Sequence, residues 1–159
     1  MDRSAPGPGA RSPARPAPPR GEVLRAVDDL QGAAADLGWA EATGLADGLV
    51  DALSHLLVDL ADGSSSPTPQ PLVVGAIGGP ARPVDHASCR AAAAALRRVA
   101  PVLDAGPPWG AEAARVALEL ADLFDRVADD GRSGRVPPGH KGVVLRRLHG
   151  LQRRLQALG

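Results

Sequence analysis

An all-α fold is predicted: an up-and-down bundle of four helices plus a C-terminal fifth, behind a disordered tail rich in Pro and Arg. Three observations carry that reading. Apolar residues recur at three- and four-residue steps from Glu22 onward, no stretch alternates at the period of a strand, and the helix breakers gather in a few short zones. At 159 residues the chain suits one core, so residues 21–159 read as a single bundle domain, with a long Pro/Gly/Ser loop at 62–84 and a shorter one at 130–139.

The tail, residues 1–20, holds Pro6, Pro8, Pro13, Pro16, Pro18 and Pro19, each removing a backbone donor and fixing φ. With almost nothing apolar to bury, it is expected to be disordered with polyproline character. Helix one is predicted from Glu22 to Leu37, because Val23, Val27, Leu30, Ala34 and Leu37 step by 4, 3, 4, 3 and Gly38 follows as a C-cap.

The central helix, Glu41 to Leu60, has the widest apolar face, formed by Leu45, Leu49, Ala52, Leu53, Leu56, Leu57 and Leu60. Such a stripe needs several covering partners, and Asp47, Asp51, His55 and Asp59 on the opposite side leave one wall in water. The short connection before it predicts an antiparallel hairpin with helix one.

Residues 62–84 then interrupt the pattern with Ser64 to Ser66 and five prolines, and are expected to cross one end of the bundle. Within them, Leu72 to Gly79 is apolar enough to be pinned to the body. A valine run before glycines resembles the turn of a dinucleotide-binding fold, but Pro80 and Pro83 block the helix that would hold a pyrophosphate. Nucleotide binding is therefore set aside.

Asp85 is the expected N-cap of helix three, whose core positions are Cys89, Ala92, Leu96, Val99 and Leu103; Pro101 either ends or kinks it. The small residues from Ala91 to Ala95 let a neighbour come close. After the stiff Gly106 to Gly110 turn, helix four presents Val116, Leu120, Leu123, Phe124 and Val127, with Arg115–Glu119 and Asp122–Arg126 spaced as local ion pairs. Helix five carries a seam of Val144, Leu148, Leu151, Leu155 and Leu158 opposite Arg146, Arg147, Arg153 and Arg154. Trp39 and Trp109 each stand beside a glycine at a helix start and are expected to close the ends of the core. Leu45, Leu49 and Asp51 match Val116, Leu120 and Asp122 at a constant offset of 71, a spacing that either a duplicated hairpin or the easy matching of apolar residues over a short stretch would give.

Lys+Arg and Asp+Glu balance at 18 each, yet the signs are segregated. From Gly21 to Asp130 there are 17 acidic residues against seven arginines, and from Gly131 onward seven basic residues against none. The single cysteine allows no intrachain disulfide, and no apolar run reaches the roughly 18 residues of a membrane span. A cytoplasmic location without membrane contact is the expectation.

Asp47 and Asp59 lie about 18 Å apart along a helix and about 120° around it, so the acidic ladder does not converge on one metal ion. His86 and Cys89 at the start of helix three could form an activated thiol, but Cys89 is in phase with the core. No catalytic constellation, metal set or cofactor site is found, and no enzymatic role is expected. The sequence points to a small non-enzymatic helical protein that acts through protein–protein contacts or self-association. Arg146, Arg147, Arg153, Arg154, Asp47 and Asp51 are the candidate contact residues. The alternative is a nucleic-acid-associated regulator using the basic face of helix five, weakened by the lack of Tyr and the single Phe.

Overall fold

The computed structural model describes residues 18–63, 67, 83–131 and 140–158. Among them are five helices and no strand: α1 (Arg20–Gln31), α2 (Ala40–Ala61), α3 (His86–Asp104), α4 (Pro108–Gly131) and α5 (His140–Gln156). The expected disorder up to residue 17, the apolar run 72–79 and most of both long loops lie outside the described residues.

Hydrogen bonds at the helix ends fix the directions. Arg20 reaches the Ala61 carbonyl at 3.4 Å, so α1 begins where α2 ends. A Leu60 methyl lies against Gly106, which puts the α3–α4 turn at that same end. At the other end the Asp85 amide donates to the Asp36 carbonyl at 3.1 Å, and His86 Nδ1–H donates to the Ala128 carbonyl at 2.7 Å. Consecutive helices are therefore antiparallel in α1–α2 and in α3–α4, as expected. However, α1 also lies antiparallel on α3, so α2 and α3 run the same way. The connection between them joins opposite ends of the bundle instead of crossing one end.

Around the bundle the neighbours are α1–α2, α2–α5, α5–α4, α4–α3 and α3–α1, with α2 also touching α4. Helix α5 thus fills the groove left between α2 and α4, and its Val144, Leu148, Leu151 and Leu155 are all buried there. The wide leucine face of α2 is used in full, since Leu45, Leu49, Leu53, Leu56, Leu57 and Leu60 are each within 2 % of complete burial. Each such side chain contributes about 1.5–3 kcal/mol of transfer free energy. Between α3 and α4 the packing differs in kind: Ala92, Ala93 and Ala95 on one side and Ala113, Ala117 and Ala121 on the other are buried, so the two backbones approach closely. Trp109 is buried and Trp39 is half-buried, and they close opposite ends.

Two local expectations, the first and third below, are corrected, and the alternative left open at Pro101 is decided. Helix α1 stops at Gln31 with Gly32 as its C-cap, leaving 33–37 without regular structure although Leu37 is still buried. Tertiary hydrogen bonds win there: Ser88 Oγ accepts from the Asp36 amide and Thr43 Oγ1 from the Leu37 amide, at 3.0 and 3.1 Å. Gly38, with φ 86, serves the turn into α2 and not the end of α1. Second, α3 continues through Pro101 to Asp104, because Val102 and Leu103 are buried beyond it. Third, the local pairs on α4 do not form, since Glu119 bonds to Arg154 and Asp122 to Arg97. Asp85 does cap α3, its carboxylate accepting from the Ser88 amide at 3.1 Å.

Candidate functional site: two oppositely charged faces

Helix α5 sorts its four arginines into two groups. Arg154 turns toward α4, where it donates to both oxygens of Glu112 at 3.0 and 3.1 Å and to Glu119. Those hydrogen bonds, aided by Arg115 and opposed by partial burial, hold the Glu112 carboxyl below its ordinary value. The same two carboxylates raise the guanidinium value of Arg154. Arg154 is thus a structural clamp between α4 and α5, and the expectation that it contacts a partner is not supported by its position.

Arg146, Arg147 and Arg153 are exposed and make no ion pair among the described residues. Arg126 on the flank of α4 is in the same state. Nearby acidic groups are already engaged: Glu119 by Arg154, Asp122 and Asp125 by Arg97, and Asp125 and Asp129 by Arg90. The α4–α5 side therefore shows uncompensated positive charge although α4 itself is rich in carboxylates. At the start of α5, His140 Nε2 stands 3.2 Å from Asp130 and its ring centroid 6.4 Å from that of Trp39.

The α1–α2 side has the opposite sign. Asp47 and Asp51 are exposed, as is Asp28 on α1, and His55 Nδ1 lies 3.9 Å from the Asp51 carboxylate. Desolvation and the neighbouring Asp36 carboxylate raise the Asp47 value, the sign of negative charge without a cationic partner. A shallow cleft of about 270 Å³ lies beside them between α1 and α2, lined by Leu30, Gln31, Val50 and Ser54 as well as the two aspartates.

Exposed apolar side chains were not singled out from the sequence, because each falls just off a regular stripe. Leu24 and Val58 sit on the acidic side and Val143 on the outer face of α5, at 44 %, 40 % and 39 % exposure. Arg20 pairs with Asp62, and Leu24 and Val58 each lie one turn inward from that tie on the two antiparallel helices. Arg126 was also missed, its i−4 partner Asp122 having been read as local.

Elsewhere the side chains are occupied by structure. Cys89 is fully buried, and burial with the Asp85 carboxylate pushes its thiol up to about 11, so it is a protonated core residue at neutral pH. His86 is committed to the Ala128 carbonyl. Among the described residues no group of three or more His, Cys, Asp or Glu could hold a metal ion, and no helix is long and apolar enough to cross a membrane. Compared with protein families, curated proteins and solved structures, the chain matches none of them.

Proposed function

We propose that this is a non-enzymatic, cytoplasmic helical protein whose work is protein–protein recognition through the outer face of α5. One observation carries the reading: the bundle neutralises the carboxylates of α4 with Arg90, Arg97 and Arg154, yet leaves Arg146, Arg147 and Arg153 exposed and without an ion pair among the described residues. A charge that stabilises nothing inside the molecule is available to select an opposite surface outside it, where it governs encounter rate and register.

Binding to nucleic acid is the second reading, favoured by the clustering of Arg126 with the α5 arginines. All three aromatic residues, Trp39, Trp109 and Phe124, belong to the core or pack against it, which leaves no platform for stacking bases. The two readings separate in one pair of assays. Affinity capture from the native host with the wild type, R146E/R153E and the control R25E/R115E should yield a partner lost only in R146E/R153E. Retention on immobilised DNA, with a steep decline as salt rises, should be absent; strong retention abolished by R146E/R153E would replace the first reading with the second.

A further inference from the structure

The outer face of α5 is matched on the molecule itself. Val143, Arg146, Gly150 and Arg153 follow one another along α5, while the neighbouring α2 presents Val58, Asp51 and Asp47 on its own outward face beside α1. From Val143 to Arg153 is ten residues, a rise of about 15 Å, and from Val58 back to Asp47 is eleven, about 16 Å. An α5 laid antiparallel on a neighbour's α2 would seat Val143 on the Leu24–Val58 pair, bring Arg153 to Asp47 and leave Arg146 within an arginine's length of Asp51.

A second observation agrees with this register. Gly142 is exposed and Gly150 half-exposed at the edge of the α4–α5 cleft, and a Cβ added at either would meet nothing within 4 Å. Glycine within a helix is destabilising relative to alanine. Packing within the chain gives no return for that cost at these two positions. A helix docked on the outside does, because Gly150 falls opposite Asp51, where a closely approaching backbone needs the space.

Resting on the reading of α5 as a recognition surface, we infer that its partner is a second copy of this chain, docked with the basic face of α5 on the acidic α1–α2 face. Because the two faces lie on different sides of the bundle, the contact is heterologous. Each docked copy leaves one basic and one acidic face open, so association proceeds to short chains or a closed ring and not to a symmetric dimer.

Sedimentation velocity on the full chain tests this at about 0.01 M and about 1 M ionic strength, where charges are felt over roughly 30 Å and 3 Å. Concentration-dependent oligomers at low salt and monomer at high salt are expected. R146E/R153E and D47R/D51R should each associate about tenfold or more weakly, and the quadruple charge-swapped chain should recover the wild-type behaviour. Circular dichroism confirms that each variant is folded, and R146Q/R153Q serves if the reversed pair is not. A wild type that stays monomeric at low salt, either double variant associating like the wild type, or a quadruple that stays monomeric overturns the inference. If the wild type is monomeric while R146E/R153E still loses a captured partner, recognition by α5 stands and only the second copy as its partner falls.

Discussion

The two helical hairpins share an outline and are held together by different means. In α3–α4, facing alanines let the backbones approach, Gly110 sits against the Leu103 carbonyl, and Arg90 and Arg97 converge on Asp125 from the flank at 3.0 and 2.6 Å. In α1–α2, large leucines separate the helices, and the ion pair between them is Arg20–Asp62 at 3.5 Å, with both side chains more than half exposed. The difference teaches where this molecule has slack. A helix pair spaced by leucine side chains can absorb a change by rotating a methyl group, whereas one packed backbone to backbone has nothing soft to move.

Glycine substitutions break or sharpen that contrast most directly. A Cβ at Gly110 would lie far inside van der Waals contact with a backbone carbonyl, so Gly110→Ala should cost about 3 kcal/mol in urea unfolding. At Gly106 the obstructing atom is the terminal methyl of Leu60, which can turn aside, and the loss should be about 1 kcal/mol. Equal losses at the two sites would mean that the α3–α4 turn is as compliant as the leucine interface.

Acid should separate the hairpins next. Burial pushes the Asp125 carboxyl up, but the hydrogen bonds from Arg97 and Arg90 outweigh it and leave the folded-state value below the ordinary one. A depressed carboxyl contributes stability that is present above its unfolded value, near pH 4, and lost as pH falls through the folded value. Asp47 has the opposite sign: its raised value means that ionisation is opposed in the folded chain, and protonation relieves that strain. Asp125→Asn should therefore lose about 2 kcal/mol at neutral pH, with the deficit shrinking below about pH 4. Asp47→Asn should be slightly stabilising at neutral pH, with its advantage fading on acidification. Denaturant titrations between neutral and acidic pH would show both slopes, and parallel pH profiles for the two variants would contradict the assignment.

How much of this was legible in the sequence follows the same division. Leucine periodicity gave α2 and α5 almost to the residue, because a stripe of large side chains is a strong and local signal. The end of α1 was misplaced because Leu37 keeps the helical period while the backbone around it bonds to Ser88 and Thr43, residues that pattern reading cannot place beside it. Similarly, Glu119 and Asp122 have well-spaced partners on their own helix, yet Glu119 takes Arg154 of α5 and Asp122 takes Arg97 of α3. The candidate face was legible as a list of arginines on one helix. Its division into Arg154, which is structural, and Arg146, Arg147 and Arg153, which make no ion pair among the described residues, depends on where α4 lies, and that is information of the fold and not of the period.

The smallest expected effect is at Arg20. Its pair with Asp62 is exposed, long and at the end of both helices, conditions in which an ion pair contributes roughly 0–1 kcal/mol. Two dipole effects oppose each other there: the guanidinium is unfavourable at the first turn of α1 and favourable beside the carbonyl of Ala61 at the end of α2. With both near cancellation, Arg20→Ala should change stability by less than about 0.5 kcal/mol, and the change should vanish in high salt. A thermal melt of the variant beside Asp125→Asn is the measurement. If Arg20→Ala lost as much as Asp125→Asn, the α1–α2 hairpin would be clamped by charge in the same way as α3–α4, and the distinction between a compliant and a rigid half of the bundle would have to be given up.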